Sequence, residues 1–246
     1  MAHCPSSNLK LASGFARIPE LLAKGVISPD TLLTLVDAIY LKAAWETPFP
    51  EKATSDGTFT RLDGSTVTVP FMHLVSGLGY ASGAGWRAVE LPYVGGTLAM
   101  TLILPDDPAA FVAGLDGTTL SEVVSGLTPA QVTLALPRFS AETKVELSEV
   151  LQALGMPTAF DGAADFSGIT TAADLEISAV VHQANIDVDE KGTVAAAATA
   201  VVMRETSIPG ELQTVVFDRP FLFALRDVPT GAVLFLGRVG DPTAGR

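Results

Sequence analysis

The chain has 246 residues, 48% of them hydrophobic, a formal net charge of −12 and a single cysteine. That length suits one large domain or two small ones, and the apolar content excludes a disordered chain. The acidic balance excludes binding to a nucleic-acid backbone or an anionic membrane surface, and no apolar run reaches the roughly 18 residues a membrane-spanning helix needs. Cys4 has no internal disulfide partner, so the redox compartment is not legible from it, and no charged segment followed by an apolar core opens the chain as in a signal peptide.

In chain order, Pro29-Asp30 marks a turn, and the apolar run over 32–41, with Val36, Ile39 and Tyr40, predicts a strand buried on both faces. Residues 57–105 read as consecutive strands. Thr66, Val67, Thr68 and Val69 alternate; 77–85 reads as a glycine-rich turn around Tyr80; 88–93 and 98–104 pair as a hairpin about Gly95-Gly96. Gly83-x-Gly85 is no phosphate loop, because no lysine and no helix follow it. Asp107-Pro108 predicts an N-cap with proline at the first helical position. Thr119 and Glu122 have capping-box spacing ahead of Val123, as do Thr143 and Glu146. Leu147, Val150, Leu151 and Leu154 then form one helical stripe, ended by Gly155. Strands are expected over 132–136 and 177–188, and a closing pair over 221–226 and 232–239 turns at Pro229-Thr230-Gly231. No internal repeat is present, and the whole reads as one mixed α+β domain.

The 177–188 strand leads into Asp189, Glu190, Lys191, Gly192, Thr193 and Val194, then Ala195, Ala196, Ala197, Ala198 and Thr199. Alanine favours a short exposed helix. The run lacks a large apolar residue to bury, however, and β-branched Thr199, Val201 and Val202 follow. A second reading is a segment able to enter a sheet as a strand, with Thr193, Ala195, Ala197 and Thr199 on one face and Gly192 as its pivot.

Glu190-Lys191-Gly192-Thr193 and the alanines resemble the hinge of the serpins, the serine protease inhibitors with a mobile reactive loop. The block from Val215 through Asp218-Arg219-Pro220-Phe221 to Leu225 resembles the C-terminal signature of that family. The block from Leu35 to Trp45, Val89-Glu90-Leu91-Pro92-Tyr93 and Leu136-Pro137-Arg138-Phe139 fall in serpin order as well. The similarity runs from Arg17 to Pro242, and residues 1–16 match poorly. It implies an α+β fold of mixed and antiparallel sheets with helices, as a single domain over 1–246 with a reactive loop at 189–214.

Serpin loop insertion is an established instance of strand addition to a sheet. By resemblance, a serine protease attacks the loop, becomes covalently attached, and is dragged along as the hinge enters the sheet. Some 10 to 20 new backbone hydrogen bonds at about 1 kcal/mol each match the roughly 5 to 15 kcal/mol that holds a protease domain folded. The loop-out state is then held by kinetics. Counting from Glu190 as family hinges are counted sets the scissile bond at Thr206–Ser207, which suits an elastase- or subtilisin-like enzyme. Arg204–Glu205 is the alternative register and suits a trypsin-like one. Trp45, Arg138 and Glu190 match the "breach" at the top of the insertion gap. His182 matches the "shutter" that holds the two central strands, with Asp37 where the family usually has asparagine. An ionised carboxylate there accepts and cannot donate, so that network differs.

No catalytic residue, cofactor or metal is expected. His182 has Ser178, Asp187 and Asp189 nearby in sequence, but no nucleophile elbow is present, and His3, His73 and His182 lack zinc-ligand spacing. The expected partner is a target serine protease, with no nucleic acid or membrane, and the expected state is a monomer when complete. Family resemblance implies an extracellular location. The family's first helices and two strands of its main sheet precede the point where similarity starts, so the chain reads as N-terminally truncated, with 32–41 an apolar sheet edge. A non-inhibitory serpin-like binding protein or an inactive fragment is the alternative function.

Overall fold

The computed structural model describes Leu22, Ile27, Ser28, residues 31–193 and residues 211–244. In chain order the strands and α-helices are β1 (Leu33–Tyr40), β2 (Ala43–Ala44), β3 (Ser55–Thr60), β4 (Thr66–Gly83), β5 (Trp86–Pro92), β6 (Leu98–Pro105), α1 (Pro108–Ala113), α2 (Gly117–Ser125), β7 (Thr128–Pro137), β8 (Phe139–Glu146), α3 (Ser148–Ala153), β9 (Ile177–Asp189), β10 (Gly192–Thr193), β11 (Gln213–Val216), β12 (Phe221–Asp227) and β13 (Val233–Val239). The described residues fall into two compact units, one drawn from Met1–Tyr40 and Glu142–Asn185, the other from Leu41–Ala141 and Ile186–Arg246.

The second unit is built on a sheet in the order β11-β7-β4-β5-β6-β12-β13, with β3 paired to β4. β6 is buried from Ala99 to Pro105 because β5 and β12 flank it and side chains cover both of its faces. On one face Ala81, Ala88, Ile103 and Leu222 meet Val123 of α2, with Phe111, Leu115 and Leu120 packed around them. Phe221 gathers Phe217, Phe139 and Phe59 edge-on at 5.1, 5.5 and 6.5 Å. Offset and edge-on rings of this kind add to simple burial. An ion pair lies within the sheet: Arg226 donates to Glu90 Oε2, which also accepts from Thr101 Oγ1 at 3.1 Å. As predicted, the β5–β6 hairpin turns at Gly95 and Gly96, both at positive φ. Asp107 caps α1 through the amides of Ala109 and Ala110.

Five local expectations in the two units are corrected. Residues 77–83 continue β4 rather than turning. Gly79 and Gly83 are there for space: a Cβ at Gly79 would come within 3.2 Å of Glu90 Cβ, and one at Gly83 would strike the Trp86 ring. The cap of α2 is Asp116, whose carboxylate accepts the Thr119 amide at 2.7 Å, so Thr119 lies inside the first turn. Thr143 and Glu146 belong to β8, and α3 starts only after them.

In the first unit β1 and β9 run parallel in a ladder from Leu33↔Ile177 to Tyr40↔Asn185. Glu146 Oε1 accepts the amides of Ser148 and Val180 at 3.0 and 3.1 Å, tying the end of β8 to β9. Among the described residues β1 lies at the sheet edge, as expected, but it is not buried on both faces: Leu35 is 42% and Val36 39% exposed. The stripe predicted on α3 is likewise open, with Val150 and Leu154 exposed.

Candidate functional site

The site forms where β9 ends. Asp189 Oδ1 accepts the amides of Lys191 and Gly192 at 2.8 and 3.2 Å, which closes a tight turn. β10 then returns antiparallel to β9, pairing Gly192 with Asp189 and Thr193 with Val188, while its other edge pairs with Ala44 and Ala43 of β2. Gly192 sits at φ 147°, and a Cβ there would run into the Ala43 carbonyl and stand 2.7 Å from Ala44 Cα. Only glycine permits this approach. The amides of Trp45 and Phe49 donate to the carbonyls of Lys191 and Glu190, both at 2.9 Å.

Glu190 is 4% exposed and therefore needs partners. Arg138 Nε donates to both carboxylate oxygens at 2.9 Å, and its Nη2 lies 2.5 Å from Oε1. Thr54 Oγ1 donates to the same oxygen at 2.5 Å. Burial alone would raise the Glu190 carboxyl, but the bonds from Arg138 and Thr54 outweigh it and hold the group below the usual glutamate range. The two residues are thus not a pair of solvated charges. Lys191, by contrast, is half exposed and pairs with exposed Glu51 at 3.0 Å.

Trp45 is buried, stacks on Tyr93 with ring centroids 4.4 Å apart, and donates its indole N–H to the Asp189 carbonyl at 2.9 Å. Tyr93 and Thr193 share a hydroxyl hydrogen bond of 2.6 Å, and Thr193 is fully buried. Burial raises the Tyr93 phenol well above its ordinary value, against the pull of that bond.

The structure therefore brings Trp45, Arg138, Glu190, Gly192 and Thr193 together in one unit. In the other, His182 Nδ1 lies 2.8 Å from Asp37 Oδ2, in register across β1 and β9. With Asp37 only accepting, the imidazole N–H supplies the proton of that bond. Ala195, Ala196, Ala197, Ala198, Arg204, Glu205, Thr206 and Ser207 lie outside the described residues. Sequence reasoning missed Thr54, Tyr93 and the turn-forming Asp189. Tyr93 stood inside a motif block, but no signal linked it to Thr193. Among the described residues no helix is long and apolar enough to cross a membrane, and no group of three or more His, Cys, Asp or Glu is arranged to hold a metal ion.

Just past β9, then, a buried glutamate clamped by Arg138 is followed by a glycine packed against the backbone of β2. The family model described as serpin (serine protease inhibitor) matches residues 15–242, and the chain belongs to that family. It is 38% identical over 235 residues to plasminogen activator inhibitor 1 of Sus scrofa, covering 92% of this chain and 58% of that protein. It is 39% identical over 237 residues to leukocyte elastase inhibitor of Bos taurus, covering 92% and 63%. Among solved structures, native protease nexin-1 with heparin matches with a TM-score of 0.79 at 31% identity, over 92% of this chain and 61% of that one. Uncleaved ovalbumin matches with a TM-score of 0.80 at 28% identity, over 92% and 58%. The chain thus spans about six tenths of the length of the relatives it matches.

Proposed function

We propose that this protein is a protease inhibitor that acts as a suicide substrate, presenting residues 189–214 as a reactive loop within a single serpin-like domain. The protease serine attacks the carbonyl of the scissile residue, forms an ester with it and releases the new amine end. Thr206–Ser207 is the proposed bond, with Arg204–Glu205 the alternative register. A small scissile residue and the likeness to leukocyte elastase inhibitor favour an elastase-like target. The proposed setting is extracellular, and the proposed working form a monomer.

The observation that carries this reading is β10. Two residues beyond Glu190, the chain already runs antiparallel to β9. Continued in the same register, that pairing would set Ala195 opposite Ile186, Ala197 opposite Ala184 and Thr199 opposite His182. Insertion must part β1 from β9, including the Asp37–His182 contact, and the small side chains over 195–200 suit a strand entering a packed sheet. In these terms Trp45, Arg138 and Glu190 form the breach and Asp37 and His182 the shutter.

The test is to mix the protein with elastase-, subtilisin- and trypsin-like enzymes and to look for a covalent complex by denaturing gel and mass. A complex whose released peptide begins at Ser207 is expected. Plain cleavage without a trapped enzyme would overturn inhibition and favour a non-inhibitory binding protein or an inactive fragment.

A further inference from the structure

Among the described residues, α3 carries an apolar face that nothing covers. No residue of this helix is buried. Leu151 is half-buried, while Val150 is 48% exposed and Leu154, the C-terminal cap, is 77% exposed. The Leu154 amide donates to the Val150 carbonyl at 3.0 Å, so the two stand one turn apart. Gly155, at φ 107°, then turns the chain back, and the Met156 amide donates to the Leu151 carbonyl at 3.0 Å. That bond keeps Met156, 46% exposed, at the same end of the helix. A contiguous apolar patch on a protein surface marks a place where something binds.

The charge around the patch says what that is. From 145 to 181 the chain carries Glu146, Glu149, Asp161, Asp165, Asp174 and Glu176, and no Lys, Arg or His. All but Glu176 are exposed. Glu149 lies in the first turn of α3, next to Val150. Asp161 follows the short helical turn Pro157–Phe160, which packs against α3. Bonds from Ser148 and Ser167 hold Glu146 and Asp165 below the usual carboxylate range, so both stay charged in mild acid. A second copy of the chain would set these acids against acids, which opposes self-association. A helix with an apolar stripe flanked by lysine or arginine answers both features at once. Its stripe covers Val150, Leu154 and Met156, and its cations meet the carboxylates around them. We propose that α3 and the turn after it form a docking surface for a basic amphipathic helix of a partner protein. Such a partner would bind whether or not the loop is cut.

The experiment uses the full chain and a short helical peptide of leucine and lysine with one apolar face. Calorimetry should show saturable binding, and hydrogen exchange should show protection over α3 and the turn that follows. Leu154→Ser should weaken binding about tenfold through the loss of one apolar contact. Leu154 is exposed in the free protein, so the melting temperature of this variant should match that of wild type. Glu149→Gln combined with Asp161→Asn should weaken binding and flatten its salt dependence. The same peptide with glutamate in place of lysine should not bind. Binding left unchanged by Leu154→Ser would reduce the contact to a general attraction of cations to an acidic protein and overturn the docking surface. Equal binding of the glutamate peptide, or an unaltered salt dependence in the double variant, would overturn the basic partner. Sedimentation showing a dimeric wild type and a monomeric Leu154→Ser would assign the face to a second copy and overturn the proposal.

Discussion

Replacing Arg138 with methionine keeps most of the side-chain stem and removes every guanidinium bond to Glu190. The Glu190 side chain is 5% exposed, so the carboxylate it leaves behind is buried with only Thr54 as a side-chain donor. Breaking a buried pair in this way costs about 3 to 5 kcal/mol when both partners are enclosed. Here the Arg138 side chain is 37% exposed, which moves the pair toward the weaker surface regime, and about 2 kcal/mol is expected. For a chain of this size that is a fall in melting temperature of about 4 to 8 °C. The pH dependence supplies the second half of the test. The folded-state pKa of Glu190 lies below its unfolded value, so the pair's contribution is fully present above about pH 4.3 and is lost as the pH falls through the folded pKa. The gap between the melting curves of wild type and Arg138→Met should therefore narrow as the pH is lowered from 7 towards 3. A variant within 1 °C of wild type at pH 7, or an equal deficit at pH 7 and pH 3, would refute the reasoning; the equal deficit would assign the loss to packing of the arginine stem.

Gly192→Ala should unseat β10, because φ 147° and the contact with the Ala43–Ala44 backbone leave no place for a methyl group. Faster amide exchange at Thr193 and a loss of about 2 kcal/mol by urea titration are the expected results. Ala197→Pro removes a ladder donor from the segment proposed to insert and should convert an inhibitor into a cleaved substrate. A gel-stable complex persisting in that variant would contradict insertion. Arg226→Met strands the Glu90 carboxylate inside the sheet, and a destabilisation of about 3 kcal/mol is expected. A melting temperature matching that of wild type would show that water reaches Glu90.

The sequence was most legible where signals are local. The Asp107-Pro108 cap, the Gly95-Gly96 hairpin and the strand over 177–188 depend on neighbours only, and each is present. The failures are also local patterns, overruled by tertiary partners. Glu146 has the spacing of a capping-box acid, yet its carboxylate binds the amides of Ser148 and Val180 and serves β9. The glycines over 77–83 resemble a turn because composition does not separate a glycine that bends the chain from one that clears room for Glu90 or Trp86. At the site, motif order pointed to Arg138 with Glu190 and to His182 with Asp37, and the structure pairs both. Tyr93 and Thr54 were not legible as partners, because the groups they bond, the Thr193 hydroxyl and the Glu190 carboxylate, lie 100 and 136 residues away along the chain. Such distances leave no trace in a pattern of spacing.

β6 is covered on one side by β12, so residues 98–105 wait for residues 221–227 before that edge is closed. A nascent polypeptide leaving the ribosome would therefore carry a mostly apolar strip, Leu98 to Pro105, paired with β5 along one edge and open along the other until more than a hundred further residues had been made. Long-range pairing of that kind is slow and leaves a sticky intermediate. Pairing an early strand with a late one in this way is expected to make folding during synthesis depend on chaperones and to leave products cut short of Phe221 insoluble.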